Sequence, residues 1–185
     1  DYLHSRQPPV VHRDIKPQNM KLTDRGEIIL LDFGLAKGAA MQTRVTGTSS
    51  IFGYTPHYAP LEQIQGTGTD PRSDLYSLAA TMYHLLTGIV PVDALTRATA
   101  AISGQPDPLP SISSINPLVP APINAALMRA MAQNPNLRPA SANAMRRALR
   151  EAGQQATSAG KSGSAEADVK TILSPAPDAA SNDQQ

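Results

Sequence analysis

The most regular pattern in the chain is residues 71–88, PRSDLYSLAATMYHLLTG, a helical pattern with Pro71 near its start and Gly88 just past its end. That asymmetry is what helix termini favour, because proline lacks only an N–H that the first turn cannot use and glycine tolerates the left-handed exit. Two later stretches, APINAALMRAMAQN and SANAMRRALREAG, carry apolar residues three and four apart, which predicts two further helices, the second with Ser141 as its N-cap. Upstream the pattern changes. GEIILLDF holds β-branched and leucine residues without helical spacing and follows the turn TDRG, so it reads as a short buried strand, with NMKLT before the turn as its hairpin partner. The pattern predicts two short strands followed by a mostly helical body.

Composition divides the chain in two. Residues 1–152 alternate apolar runs with Pro/Gly punctuation, whereas 153–185 is rich in Ala, Ser, Gly, Gln and Asp with the one small apolar group VKTIL, a composition that predicts a disordered tail or linker. No repeat at solenoid periods is present. With 185 residues, 41% hydrophobic and 17% charged, most of the chain can bury the core of one domain. A formal net charge of +1 provides no basic stripe to meet phosphates, which argues against a nucleic-acid or membrane-surface binder. The absence of cysteine excludes disulfides and thiolate metal sites and fits a reducing compartment. No apolar run has the length of a membrane span, and DYLHSRQ is no signal peptide. The first residue is Asp1 and not Met, which points to a processed product or a fragment.

Against that background VVHRDIKPQNMKL, residues 10–22, stands out. Two basic residues, an acid, a proline and an amide lie between apolar borders. His12-Arg13-Asp14 is followed by Lys16 and Asn19, and Asp32-Phe33-Gly34 follows the second strand. A lone H-x-D is more often a core histidine beside a loop acid. The joint occurrence of H-R-D-x-K-x-x-N and a strand-preceded D-F-G is far more specific.

These motifs, with YAPLEQ, SDLYSLAATMYHLLTG and NPNLRPAS, resemble the bacterial branch of the eukaryotic-type serine/threonine protein kinases, from the end of the helix before the catalytic loop to about residue 150. The resemblance implies the α+β protein-kinase fold, with this chain as its mainly α-helical C-terminal lobe, residues 1–152, carrying a short β-hairpin and followed by the disordered tail 153–185. It also implies ATP and Mg²⁺ as cofactors and proteins bearing Ser/Thr as substrates, with no nucleic acid among the partners. No glycine-rich phosphate loop, strand lysine or partner glutamate precedes Asp1, so the N-terminal lobe is expected to be missing and needed.

The roles implied follow from what phosphoryl transfer requires, an aligned acceptor hydroxyl and neutralised oxygen charge. Asp14 would accept the hydroxyl proton and Lys16 would neutralise the γ-phosphate. Asn19 and Asp32 would be hard oxygen ligands for Mg²⁺. Gly34 would give the metal loop its freedom and Phe33 would pack to set its position, with His12 in a structural role. Thr55 of GYTPHY occupies the place of the threonine that contacts the catalytic Asp and Lys and walls the substrate site. Arg13 would pair with a phosphorylated activation-loop residue, Thr46 or Thr48 being preferred over Thr43, Ser49 and Ser50.

Glu62 and Arg138 resemble the ion pair that ties the end of the activation segment to the last helices, and Asp74 the helix-start acid that accepts from the catalytic-loop backbone. Two positions depart from the family: Leu61 stands where the usual Ala-Pro-Glu has proline, and Ala79 where glycine is frequent. Two rivals stay open, a small-molecule phosphotransferase of kinase-like fold and a non-catalytic kinase-like scaffold. Lys16, Thr55 and the long segment from Asp32 to Glu62 speak against the first, and the retention of Asp14, Asn19 and Asp32 against the second. A cytoplasmic location, at a membrane through a segment outside this chain or free of one, and a homodimer for activation-loop phosphorylation complete the expectation. So does inactivity of the 185 residues alone.

Overall fold

The computed structural model describes residues 1–33 and 55–162, with side chains through residue 158. After a 3-10 turn at Pro17–Asn19 come β1, Met20–Leu22, and β2, Ile28–Leu30. They pair antiparallel in the register Met20↔Leu30, Lys21↔Ile29, Leu22↔Ile28. Gly26 closes the connection at φ 76°, a left-handed conformation that costs a residue with a Cβ, and its N–H reaches the Thr23 carbonyl at 2.9 Å. One further rung, the Leu31 N–H donating to the Asn19 carbonyl at 2.8 Å, extends the ladder by one residue of each strand at the open end of the hairpin. That rung is how two loops 12 positions apart become neighbours, since Asp32 follows Leu31 directly.

The hairpin corrects one expectation. The second strand is not buried: Ile28 is 69% exposed and Ile29 46%. A two-stranded sheet has no second layer to bury a face, and among the described residues no element covers this one.

The helical body consists of α1 (Leu61–Ile64), α2 (Pro71–Thr87), α3 (Ala94–Ile102), α4 (Ile112–Ile115), α5 (Ala121–Ala130) and α6 (Ala142–Ser162). α2 is its centre. Asp70 caps it, accepting from the Arg72 N–H at 2.7 Å while the Ser73 hydroxyl accepts the Asp70 N–H at 3.2 Å. Gly88 ends it at φ 70° with its N–H on the His84 carbonyl. Leu75, Tyr76, Ala79, Ala80 and Tyr83 of α2 are buried against Leu109, Ile112, Val119, Leu127, Met131 and Met145 from the surrounding segments. Each large apolar side chain so buried contributes about 1.5–3 kcal/mol. Ala79 and Ala80 are fully buried, and their small size lets neighbouring backbones approach. Ser77 and Thr81 spend their buried hydroxyls on the Ser73 and Ser77 carbonyls one turn back.

Two features lie beyond the sequence expectation. α3 begins at Asp93, which accepts from the Thr96 N–H at 2.9 Å. Its Arg97, only 4% exposed, grips Asp107 with Nε and Nη2 at 3.0 and 2.7 Å and gives Nη1 to the Tyr76 hydroxyl and the Met131 carbonyl. One guanidinium thus ties α3 to α2, the end of α5 and the loop after α3. Burial pushes the Asp107 carboxyl up, but the hydrogen bonds from Arg97 and the Leu109 N–H, with the Arg97 charge, outweigh it and hold the carboxyl below its ordinary value.

The second feature is the length of α6. Ser141 does cap it, accepting from the Ala144 N–H at 3.1 Å, but the helix runs to Ser162, past the boundary expected at 152. Composition misled there because Ala and Gln, read as low-complexity residues, are also good helix formers, and the two glycines of the helix, Gly153 and Gly160, cost only about 1 kcal/mol each. Residues 163–185 lie outside the described part. Among the described residues no helix is long and apolar enough to cross a membrane.

Candidate active site

The loop from Val11 to Lys16 has little regular structure and is shaped by its neighbours. Arg13 adopts φ 69°, a left-handed conformation unusual for a residue with a side chain. The buried carboxylate of Asp74, in the first turn of α2, holds that turn. It accepts the His12 N–H at 2.8 Å through Oδ2 and the Arg13 N–H at 2.9 Å through Oδ1. From the other side Gln63 donates its amide Nε2 to the Arg13 carbonyl at 2.7 Å, and Arg13 Nε reaches the Thr69 hydroxyl at 2.8 Å. Strain of this kind persists where the surroundings over-determine the backbone. The result is that the next residue, Asp14, is aimed independently of its own local preferences.

His12 is fully buried and sits between the two loops. The Asp14 N–H donates to its Nδ1 at 3.3 Å, which leaves the proton on Nε2, donated to the Leu31 carbonyl at 3.1 Å. The Phe33 ring lies 4.7 Å from the His12 ring at 56°, and its far side remains exposed. The histidine therefore spans from the backbone of Asp14 to the strand end before Asp32.

Four side chains close a polar ring. Thr55 donates its hydroxyl to Asp14 Oδ1 at 2.6 Å, Lys16 Nζ donates to the Thr55 hydroxyl at 2.8 Å and lies 2.9 Å from Asp14 Oδ2, and Asn19 Nδ2 donates to both Asp14 Oδ2 and the Asp14 carbonyl at 2.8 Å. The inventory of what is left over is informative. Three of the four acceptor positions of the Asp14 carboxylate are taken, and the fourth is on Oδ1. Lys16 has spent two of three donors. Asn19 has spent its N–H₂ group, and its amide oxygen accepts no hydrogen bond from the described residues.

The Asp32 carboxylate likewise has no hydrogen-bond partner among the described residues, and its backbone is left-handed at φ 60°. Two hard oxygen donors, brought together by the Asn19–Leu31 rung, suit a divalent cation such as Mg²⁺ better than a soft one. No group of three or more His, Cys, Asp or Glu occurs among the described residues, so any cation held here would take its remaining ligands from elsewhere.

At the far end of the segment α1 starts with Leu61 at its first position, so the departure from proline leaves the turn intact. Glu62 follows and receives Arg138 in a two-nitrogen grip at 2.6 and 3.0 Å, with Ser73 donating to the same carboxylate at 2.9 Å. Gly34, Thr43, Thr46, Thr48, Ser49 and Ser50 lie outside the described residues.

Residues 1–148 match the family model described as protein kinase domain. The chain belongs to the protein kinase family. It is 40% identical over 147 residues to the serine/threonine-protein kinase Pkn1 of Myxococcus xanthus, covering 77% of this chain and 21% of that protein. To the serine/threonine-protein kinase PrkC of Bacillus subtilis it is 36% identical over 132 residues, covering 71% and 20%. The solved kinase domain of PknI from Mycobacterium tuberculosis superposes with a TM-score of 0.56 at 31% identity, over 79% of this chain and 48% of that one. The chain thus spans about a fifth of the curated relatives it matches and just under half of that solved kinase chain. Its helical body with one antiparallel hairpin corresponds to the large lobe of the kinase fold.

Within this kinase lobe nothing in the sequence singles out Gln63, Thr69 and Ser73. Their signal is weak, because Gln63 acts on a backbone carbonyl, Thr69 on the Arg13 guanidinium and Ser73 on a shared carboxylate, none through a motif of its own.

Proposed function

We propose that this chain is the catalytic large lobe of a bacterial serine/threonine protein kinase, which in the longer protein moves the γ-phosphoryl group of ATP to a Ser or Thr hydroxyl of a protein. The observation that carries the reading is the Asp14–Lys16–Asn19–Thr55 ring, in which three of the four residues keep one unspent position of the kind this chemistry needs. The free acceptor position of Asp14 takes the substrate hydroxyl and, as the oxygen bonds to phosphorus and the bond to ADP breaks, its proton. The third Lys16 donor meets a γ-phosphate oxygen. Asn19 Oδ1 and the Asp32 carboxylate would hold Mg²⁺, which supplies charge neutralisation across the phosphates when bound. Thr55 fixes the carboxylate rotamer and walls the acceptor side, which favours a short hydroxyl over a phenol.

Control through Thr46 or Thr48 belongs to the same proposal: a phosphate there would be a bidentate partner for guanidinium donors of Arg13. So do trans-phosphorylation in a homodimer and a cytoplasmic location, where ATP is available.

The test is a labelled-ATP assay of the longer kinase on a generic basic protein, with an Asp14→Asn control. Label on phosphoserine and phosphothreonine that vanishes in the control is expected. Label dominated by phosphotyrosine, or turnover that survives Asp14→Asn, would sink the reading.

A further inference from the structure

The peptide unit that joins Arg13 to Asp14 is held at both of its polar ends. Its N–H, that of Asp14, donates to His12 Nδ1 at 3.3 Å, and its carbonyl, that of Arg13, accepts the side-chain amide of Gln63, 50 positions away in sequence, at 2.7 Å. Because the unit is planar, fixing its two ends fixes the direction in which the Asp14 Cα leaves it. Gln63 stands on α1 directly after Glu62, and the Glu62 carboxylate is gripped by two nitrogens of Arg138 and by the Ser73 hydroxyl. The donor is therefore carried by a post anchored outside the catalytic loop.

Only the N–H₂ half of the Gln63 amide can face a carbonyl, so Oε1 points the other way, where it is buried without a hydrogen-bond partner among the described residues. An apolar side chain of the same length would avoid that orphaned acceptor. What the glutamine adds over such a side chain is its one bond, to the Arg13 carbonyl. We infer that Gln63 is a positioning residue for phosphoryl transfer: it fixes the peptide plane ahead of Asp14 and so ties the aim of the acid to the seating of α1. The inference rests on the kinase reading above. Arg13 is left-handed at φ 69°, and a rotation of this plane toward ordinary backbone values would turn Asp14 with it. Asp74 holds the Arg13 N–H, which belongs to the preceding peptide unit, so it does not oppose that rotation as directly as Gln63 does. Small misplacements of a catalytic group cost rate.

Three substitutions separate this from a packing role. Methionine keeps the length of glutamine without a donor, glutamate keeps its shape but turns an oxygen toward the carbonyl, and histidine returns a ring N–H at a similar reach. In the longer kinase, Gln63→Met is expected to lower kcat by about tenfold and Gln63→Glu by at least as much, with KM for ATP unchanged, and Gln63→His to recover most of the loss. The urea midpoint of Gln63→Met should stay close to that of the parent, since the substitution removes the orphaned Oε1 while taking a donor from the Arg13 carbonyl. Hydrogen exchange at the Asp14 amide, the other end of the same peptide unit, supplies a readout without activity, faster in the methionine and glutamate variants and near the parent in the histidine one. Should the histidine variant fail to fold, the methionine–glutamate pair carries the comparison. Full kcat in Gln63→Met or in Gln63→Glu, or unchanged exchange at the Asp14 amide in both, would overturn the inference. An Asp14→Asn control distinguishes the two levels. Turnover insensitive to Asp14 defeats the kinase reading, whereas Asp14-dependent turnover indifferent to Gln63 defeats only this one.

Discussion

Arg138 grips Glu62 across 76 positions of sequence, Nη1 to Oε1 at 2.6 Å and Nη2 to Oε2 at 3.0 Å, with its own side chain fully buried. The same guanidinium donates to the carbonyls of Ala132, Gln133 and Arg72 and sits 4.9 Å from the centre of the Tyr76 ring. A surface ion pair is worth little, but here the guanidinium is fully buried and spends its donors on partly buried groups. Arg138→Ala would leave Glu62 without its charge partner and several carbonyls without donors. We expect a loss of roughly 3–5 kcal/mol, the range for breaking a buried pair by removing one member. Arg138→Lys should recover only a part, since an ammonium cannot reproduce the two-nitrogen fork. Urea midpoints of the two variants against the parent chain check both statements, and a lysine variant as stable as arginine would contradict the geometric account.

The Arg97–Asp107 pair gives a pH prediction. Asp107 has its carboxyl held below the ordinary value in the folded chain. A depressed carboxyl contributes stability that is present above the unfolded value, about 3.9, and is lost as pH falls through the folded value. Asp107 is 48% exposed, so solvent screens the pair and the contribution is modest. Asp107→Asn should lower the urea midpoint at pH 7 and narrow its difference from the parent chain as the pH is taken below about 4. A difference that stays constant from pH 7 to 3 would show that the charge of Asp107 plays no part.

Much of this was legible in the sequence, and the reasons differ by element. The ends of α2 could be read because Pro71 and Gly88 are local signals that act on the backbone they sit in. The neighbourhood of Asp14 and Asn19 could be read from their spacing, and the two are hydrogen-bonded in the structure. The Arg97 hub could not be read: its partners Tyr76, Asp107 and Met131 come from different segments, and only packing brings them together. The exposure of β2 was misread because a run such as IILL carries no sign of whether another layer covers it. The run of α6 past 152 was missed because Ala and Gln serve helices and low-complexity tails alike, so composition there does not discriminate.

The hairpin supports an expectation about the chain on its own. Leu22 and Ile28 on one face of the hairpin, Ile29 on the other, and Leu31 and Phe33 just after it are all exposed, and exposed apolar surface of this kind marks an interface or an aggregation liability. The unpaired edges of a two-stranded sheet add a template for association. The 185 residues alone should therefore self-associate at micromolar concentration. Ile28→Lys with Ile29→Thr should shift light scattering towards monomer without lowering the unfolding midpoint, since neither side chain belongs to the core. Undiminished association in the double variant would place the sticky surface elsewhere, the apolar groove lined by Leu75, Leu78, Met145 and Leu149 being the next candidate.

Thr55 allows the polar ring to be tested without touching the acid itself. Its hydroxyl is at once a donor to Asp14 Oδ1 and an acceptor from Lys16 Nζ, so it fixes the distance between the base and the cation. Thr55→Ala removes both bonds and leaves Asp14 Oδ1 without its fixed donor, free to draw Lys16 fully onto itself. In the longer kinase this should lower kcat by about 10²-fold, within the range that a positioned acid–base group contributes, with a smaller change in KM for ATP, because Thr55 reaches the nucleotide only through Lys16. Thr55→Ser keeps the hydroxyl and loses only a methyl group, so it should retain most of the activity, whereas Thr55→Val keeps the shape, loses the hydroxyl and should behave like alanine. Asp14→Asn sets the floor, at a loss of about 10²–10⁴-fold. If valine matched serine, the shape of residue 55 and not its hydroxyl would be what matters, and the ring would be a consequence of packing without a role in the reaction.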